Sequence, residues 1–255
     1  MATEPLASLR DVTFSPAPHP PSPPQPRGVA PTAVHHGADV AFELRVHSFS
    51  LAPRELVACV GPSGSGKTTL LNIIAGILLP RTGRVRLMGR DLASQPDAHR
   101  RRLRLAHLGL VFQEFELLDY LSAWHNITLA TRLGDFDATA LARRARELAV
   151  AAGIHHALGR KPGCLSQGER QRVAICRALA HNPALVLCDE PTGNLDPDAA
   201  SAVIDLLLDQ VRSRDAGLLM VTHNHALLRH FDRVVHIRSS REPDRRLACL
   251  HEGAP

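Results

Sequence analysis

No stretch of this chain is apolar for long enough to cross a bilayer: the longest, Ile73 to Leu79, falls far short of the roughly 20 residues a spanning helix needs. The opening residues, Met1 to Arg10, hold Glu4 and lack a basic region followed by an apolar run, so no secretory signal is read there and a cytoplasmic location is expected. Cys59, Cys164, Cys176, Cys188 and Cys249 are widely spaced and form no CxxC pair, which argues against a disulfide framework and a zinc site. They read as small apolar residues. Charge of one sign is also scarce. Thirty Lys and Arg against 25 Asp and Glu give +5, too mild to choose between phosphates, anionic lipid and no partner at all. The run Arg100-Arg101-Arg102, with Arg104, reads as a solvated helix face, and nucleic acid is not expected as a partner. Trp124 and the pairs His35-His36 and His155-His156 have no partners at metal-ligand spacing and receive no role.

What is present is an ordinary globular mixture, 44% hydrophobic and 22% charged over 255 residues, enough for one folded domain with a real core. Leu9 to Phe14 has strand character, but the prolines between Pro16 and Pro31 forbid regular structure, so Ser15 to Asp39 is expected as an extended loop. From Val40, the residues Phe42, Leu44 and Val46 alternate with polar ones as in a half-buried strand. Leu56 to Val60 is a continuous apolar run ending at Gly61, and Thr68 to Leu79 has the composition of a buried helix. Helix formers dominate from about Phe115 to Gly163, as in Ala138 to Ala152, and a further helix is expected from Gln167 to the stop at Asn182-Pro183. Leu185 to Cys188 and Leu218 to Thr222 flank a helix at Asp198 to Val211. That alternation implies an α/β fold with a mainly parallel sheet covered by helices.

Between the strand at Leu56 and the helix at Thr68 stands Gly61-Pro62-Ser63-Gly64-Ser65-Gly66-Lys67-Thr68, followed by Thr69. It fits the phosphate-loop pattern GxxxxGK[ST] in the strand-to-helix setting that pattern requires. The glycines turn successive backbone N–H groups inward, Lys67 reaches for the β- and γ-phosphates, and the Thr68 hydroxyl suits Mg²⁺. At the end of the run Leu185-Val186-Leu187-Cys188, the pair Asp189-Glu190 stands at the carboxyl edge of the sheet, where ligands of such sheets gather. Asp189 can hold Mg²⁺ through water, and Glu190 can act as general base on an attacking water. A nucleoside triphosphate and Mg²⁺ are therefore the expected ligands, and hydrolysis the expected chemistry; that the nucleotide is ATP is implied by the resemblance that follows.

Leu165-Ser166-Gln167-Gly168-Glu169 resembles the LSGGQ signature of the ATP-binding subunits of ABC transporters, with Gln167 and Glu169 departing from it. The resemblance runs from about Val40 to Ile237. It implies a RecA-like phosphate-loop core from 40–112 and 171–240, a helical subdomain from 113–170 and an antiparallel β edge. It further implies a head-to-tail homodimer in which Ser166 and Gly168 of one copy close over the γ-phosphate held by the other. On the same resemblance, Gln113 touches Mg²⁺ and the attacking water, Asp196 in Asn194-Leu195-Asp196 crosses the dimer interface, and His223 is the switch histidine that orients the catalytic carboxylate. The aromatic that stacks on adenine is assigned to Phe14, with Phe42 the other candidate. Phe112-Gln113-Glu114-Phe115-Glu116-Leu117-Leu118 looks like the branch holding lipoprotein-releasing, macrolide-export and cell-division ATPases. Members of that branch work beside a separate integral membrane permease, so the chain is expected on the inner face of the membrane. Phe115, Leu117, Leu118 and Tyr120 would line the groove for a permease helix, or serve as core. A regulatory ATPase of the cell-division type, moving no substrate, is the alternative function.

Overall fold

The computed structural model describes residues 4–16, 41–242 and 245–252. The expected loop from Ser15 to Asp39 lies outside the described residues after Pro16. In chain order the strands are β1 (Ala7–Phe14), β2 (Ala41–Leu51), β3 (Leu56–Val60), β4 (Thr82–Leu87), β5 (Arg90–Asp91), β6 (Leu108–Val111), β7 (Leu185–Asp189), β8 (Gly217–Val221), β9 (Arg233–Glu242) and β10 (Arg245–Glu252). The helices are α1 (Lys67–Ile74), α2 (Asp97–His107), α3 (Ala123–Ile127), α4 (Ala130–Leu133), α5 (Ala138–Ala151), α6 (Gln167–Leu179) and α7 (Pro197–Arg212).

The described strands form one sheet in the order β5-β4-β1-β2-β10-β9-β3-β8-β7-β6. From β9 to β6 every pair is parallel, and β1 pairs antiparallel with both β2 and β4. β10 runs parallel to β2 but antiparallel to β9, and so joins the two parts. The sheet thus continues past residue 240.

The central strands read as unbroken apolar runs because both of their faces are buried. In β7, Val186 and Cys188 enter one core while Leu185 and Leu187 enter the other; in β8, Leu218 and Met220 oppose Leu219 and Val221 in the same way. The first core holds α5, α6 and α7, and the second holds α1 with the β1–β2 side of the sheet. Along β2 the alternation breaks, since Leu44 and Val46 are buried and the next buried residue is Phe49. The break faces Asp11 of β1, whose φ of 48° twists the paired strand at that point.

Helix α1 ends at Ile74, short of the expected Leu79. Gly76 takes a left-handed φ of 64°, and the N–H groups of Ile77 and Leu78 both turn back to the Asn72 carbonyl. Three of the cysteines, Cys59, Cys176 and Cys188, are buried as small apolar residues, whereas Cys164 is exposed. Among the described residues no helix is long and apolar enough to cross a membrane.

Candidate functional site

The loop between β3 and α1 is shaped by its glycines. Gly64 and Gly66 have φ of 67° and 95°, a region closed to most side chains. A Cβ on Gly66 would stand 2.7 Å from Cζ of Phe42. Helix α1 therefore opens at Gly66 with no side-chain cap and no acidic residue in its first turn. Its first N–H groups have no partner within the helix, and the positive end of its dipole points at the loop.

Lys67 lies in this loop with its side chain only 7% exposed. Its Nζ donates to the carbonyls of Gly61 at 2.9 Å and Pro62 at 3.0 Å and stands 3.7 Å from Oε1 of Glu190. A buried ammonium held this way is compensated by its own loop, ready to exchange those partners for phosphate oxygens. Ser65 Oγ is buried and has no hydrogen-bond partner, a donor directed into the same loop.

Two carboxylates meet this loop from β7, and the backbone separates them. Thr68 Oγ1 donates to Oδ2 of Asp189 at 2.6 Å. Burial raises the Asp189 carboxyl above its ordinary value; the Thr68 bond opposes this, and the nearby Glu190 charge adds to it. Glu190 has a φ of 43°, and its N–H is pinned to the Val221 carbonyl of β8 at 3.0 Å. A left-handed backbone strains a residue that bears a side chain, and the surrounding structure must hold it there. Its carboxylate leaves the line of the strand and reaches His223, whose Nδ1 lies 3.2 Å from Oε2. His223 itself is 67% exposed.

Lys67, Thr68, Asp189 and Glu190 share one cavity of about 390 Å³, walled also by Phe42, Ser63, Gly64, Gly66, Thr69 and Gln113. Gln113 is tethered from the far side: Asn194 Nδ2 donates to its carbonyl at 3.2 Å, and a Cβ on Gly193 would meet its Nε2 at 3.2 Å. Thr68, Asp189 and Gln113 offer oxygen donors, which suits a hard cation such as Mg²⁺. Pro62 takes part through its carbonyl, and Gly61 sits where a Cβ would strike the Ile237 carbonyl at 2.5 Å.

Ser166, Gly168 and Asp196 are not among the residues that wall this cavity. Ser166 caps α6, accepting from the Glu169 N–H at 3.2 Å, while Glu169 Oε2 accepts from the Ser166 N–H at 2.8 Å. Gly168 sits in the first turn of α6, where a Cβ would come 3.7 Å from Ala199. Asp196 caps α7, its Oδ1 accepting from Ala199 N–H at 2.9 Å. Within one chain these three belong to helix ends and not to the phosphate loop.

Of the two candidate aromatics, Phe42 is among the residues that wall the cavity and Phe14 is not, while both pack against the β1–β2 core. Of Phe115, Leu117, Leu118 and Tyr120, expected to line a groove or serve as core, Tyr120 borders an apolar groove of about 730 Å³ with Leu121, Trp124 and Leu158, and none of the four lies on the walls of a second apolar groove. That groove, of about 500 Å³, runs between α2, β6 and α6 with Leu105, Leu108, Phe112 and Leu133 on its walls and Arg102 and Arg177 among its charged residues. Leu117 packs on the core instead, and Tyr120 stands 72% exposed on another surface. One neighbour of the loop escaped the sequence reading altogether. Arg246 of β10 donates to the Ser63 carbonyl at 3.2 Å, a contact made only because Arg246 and Phe42 lie side by side in the ladder.

A family model described as ABC transporter matches residues 44–193. The chain belongs to the ABC transporter family. It is an ATP-binding cassette subunit, an ABC ATPase. The cassette is 45% identical over 194 residues to an uncharacterized ABC transporter ATP-binding protein of Mycobacterium tuberculosis, covering 76% of this chain and 78% of that one. It is 42% identical over 205 residues to the lipoprotein-releasing system ATP-binding protein LolD 1 of Rhodospirillum rubrum, covering 80% and 91%. Among solved structures, a dimeric ATP-binding cassette in a post-hydrolysis state, bound to ADP and Pi, superposes with a TM-score of 0.72 at 29% identity, covering 90% of this chain and 93% of that one. The mainly parallel sheet with antiparallel edge strands is thus the cassette fold.

Proposed function

We propose that two copies of this cassette enclose MgATP and hydrolyse it, and that the resulting closure and opening drive a separate membrane permease. One observation carries the chemistry: Lys67, Thr68, Asp189 and Glu190 converge on a single cavity, and His223 holds the Glu190 carboxylate. Lys67 and the loop N–H groups grip the β- and γ-phosphates, and Phe42 faces the nucleotide from β2. Thr68, Asp189 and Gln113 would hold Mg²⁺, which when bound neutralises charge across the phosphates. Glu190 takes the proton of the attacking water, and His223 fixes the direction in which that carboxylate points. Ser166 and Gly168 of the second copy would complete the site, with Asp196 at the interface; the dimeric relative supports that arrangement.

The permease meets the groove beside α2. Its apolar walls suit a short amphipathic helix, and Arg101, Arg102 and Arg104 along one side suit a helix that carries carboxylates. Relatives named for a lipoprotein-releasing system support a permease that extracts or exports lipid-linked cargo, with the cassette held at the inner membrane face. Glu190→Gln tests the chemistry. Nucleotide binding should persist, turnover should fall by about 10²- to 10⁴-fold, and ATP should drive a stable dimer on size exclusion. Turnover at the wild-type rate would remove Glu190 as the base.

A further inference from the structure

The segment that follows Gln113 is held in an unusual shape. Phe115 and Glu116 are consecutive non-glycine residues with φ of 62° and 49°. Side chains resist that region, so two such residues in a row persist only where the surroundings impose them. The imposing element is α6. Nη2 of Arg177 donates to the Phe115 carbonyl at 2.8 Å, and its Nη1 donates to the Glu116 carbonyl. Arg170, two turns earlier on the same helix face, lays its guanidinium over the Phe115 ring at 5.8 Å. One helix therefore grips this turn by its ring and by both carbonyls.

Burial holds the Arg177 guanidinium below its ordinary pKa, and the nearby Glu116 carboxylate offsets part of that cost. A lysine would keep the charge but lose the planar fork that spans two carbonyls. The far side of the crossover is fixed separately: buried Asn126 accepts from the Leu118 N–H and donates to the carbonyls of Leu118, Leu121 and Ser122. Between these anchors and Asn194, the position of Gln113 at the cavity is set by the clamp on residues 115–116.

We propose that Arg177 is a positioning residue that holds Gln113 at the reacting phosphate by locking the Phe115–Glu116 turn. It rests on the role given above to Gln113. Arg177 lies on the helix that begins with the signature residues, so one rigid element sets both Gln113 in its own chain and Ser166 toward the partner copy.

The test is Arg177→Lys in the full-length chain, assayed for steady-state ATP hydrolysis and for binding of a fluorescent ATP analogue. The expected result is kcat lowered by on the order of tenfold, with the KM for ATP and the affinity for the analogue unchanged. In a Gln113→Ala background the same substitution should do almost nothing, because its effect passes through Gln113. Adding Glu116→Gly to Arg177→Lys should restore part of kcat, since glycine takes the left-handed turn without being forced. Effects that add independently to Gln113→Ala, or a change in KM in place of kcat, overturn the clamp. If Arg177→Lys does not fold, Phe115→Ala removes the ring that Arg170 covers while keeping a side chain in the left-handed region, so the turn loses one of its holds and keeps its strain. It should lower kcat at constant KM, again silently when Gln113 is alanine, and a wild-type kcat overturns the proposal. Gln113→Ala alone separates the two readings. A wild-type rate there removes the role of Gln113, whereas a reduced rate beside a wild-type Arg177→Lys sinks the clamp only.

Discussion

Two helix N-termini enter the proposed anion chemistry of this cassette, and they are built in opposite ways. Helix α1 opens on Gly66, with no side-chain cap and no acid in its first turn, so its N–H groups stay available to phosphate. Helix α6 opens on Ser166 and closes itself: Ser166 and Glu169 satisfy each other's N–H groups in a capping box. The bond from the Ser166 N–H holds the Glu169 carboxyl below its ordinary value, partial burial opposes this, and the Ser166 side chain and His156 add to the lowering. In the proposed dimer, the end that would meet a second copy's phosphate thus carries a negative charge. What remains for an anion there is the O–H proton of Ser166, whose oxygen already accepts from the Glu169 N–H, and the Gly168 N–H. One terminus is open; the other is capped by its own residues and would bind an anion against its own charge.

Lys67→Ala removes the cation from the open end, and its effect should be the largest. Nucleotide affinity should drop on the order of 100- to 1,000-fold by titration calorimetry, and normal binding would dissolve the contrast. Gly66→Ser would give α1 the kind of cap that α6 has. Because the new Cβ meets Phe42 at 2.7 Å with φ at 95°, the expected cost is about 1–3 kcal/mol of stability by denaturant melting, with nucleotide binding lost. Ser166→Ala opens the α6 cap and should cost about 1 kcal/mol of stability. It should also weaken the ATP-driven dimer while leaving nucleotide binding to a single copy unchanged. Glu169→Gln is the smallest and most direct test. It keeps the box but removes the charge, so ATP-driven dimerisation should tighten by a few-fold, equivalent to about 0.3–1 kcal/mol.

The same glutamate gives a pH dependence with a definite sign. Its folded pKa lies below the ordinary value, so its contribution is present above the ordinary carboxylate range and is lost as pH falls through the folded pKa. Thermal melts of the wild type between neutral and acidic pH should show that loss, and Glu169→Gln should show less of it.

Much of the fold was legible because the signals were local. β3 is a five-residue apolar run and β7 and β8 hold the four-residue runs Leu185–Cys188 and Leu218–Val221, the pattern of strands buried on both faces, and the phosphate loop is contiguous. Asp189 and Glu190 are neighbours, although nothing in their order says that a left-handed backbone would send one to Thr68 and the other to His223. The choice of Phe42 over Phe14 was not legible. It follows from the pairing of β2 with β10 and from the packing of Phe42 on Gly66, contacts between residues far apart in the chain. The walls of the groove beside α2 were not legible for a related reason. Arg177 stands on a wall of that groove and donates to the carbonyls of Phe115 and Glu116, contacts between residues more than 60 positions apart in the chain.

By itself, then, the sequence determined that this chain has a phosphate cradle, a pair of carboxylates beside it and a layered α/β core, since each is set by neighbouring residues through backbone conformation and hydrophobic periodicity. Only the tertiary structure decided which aromatic faces the cavity, where the groove runs and how Gln113 is held. Those depend on side chains brought together by strand pairing and by a half-buried guanidinium, and such contacts have no local pattern to read.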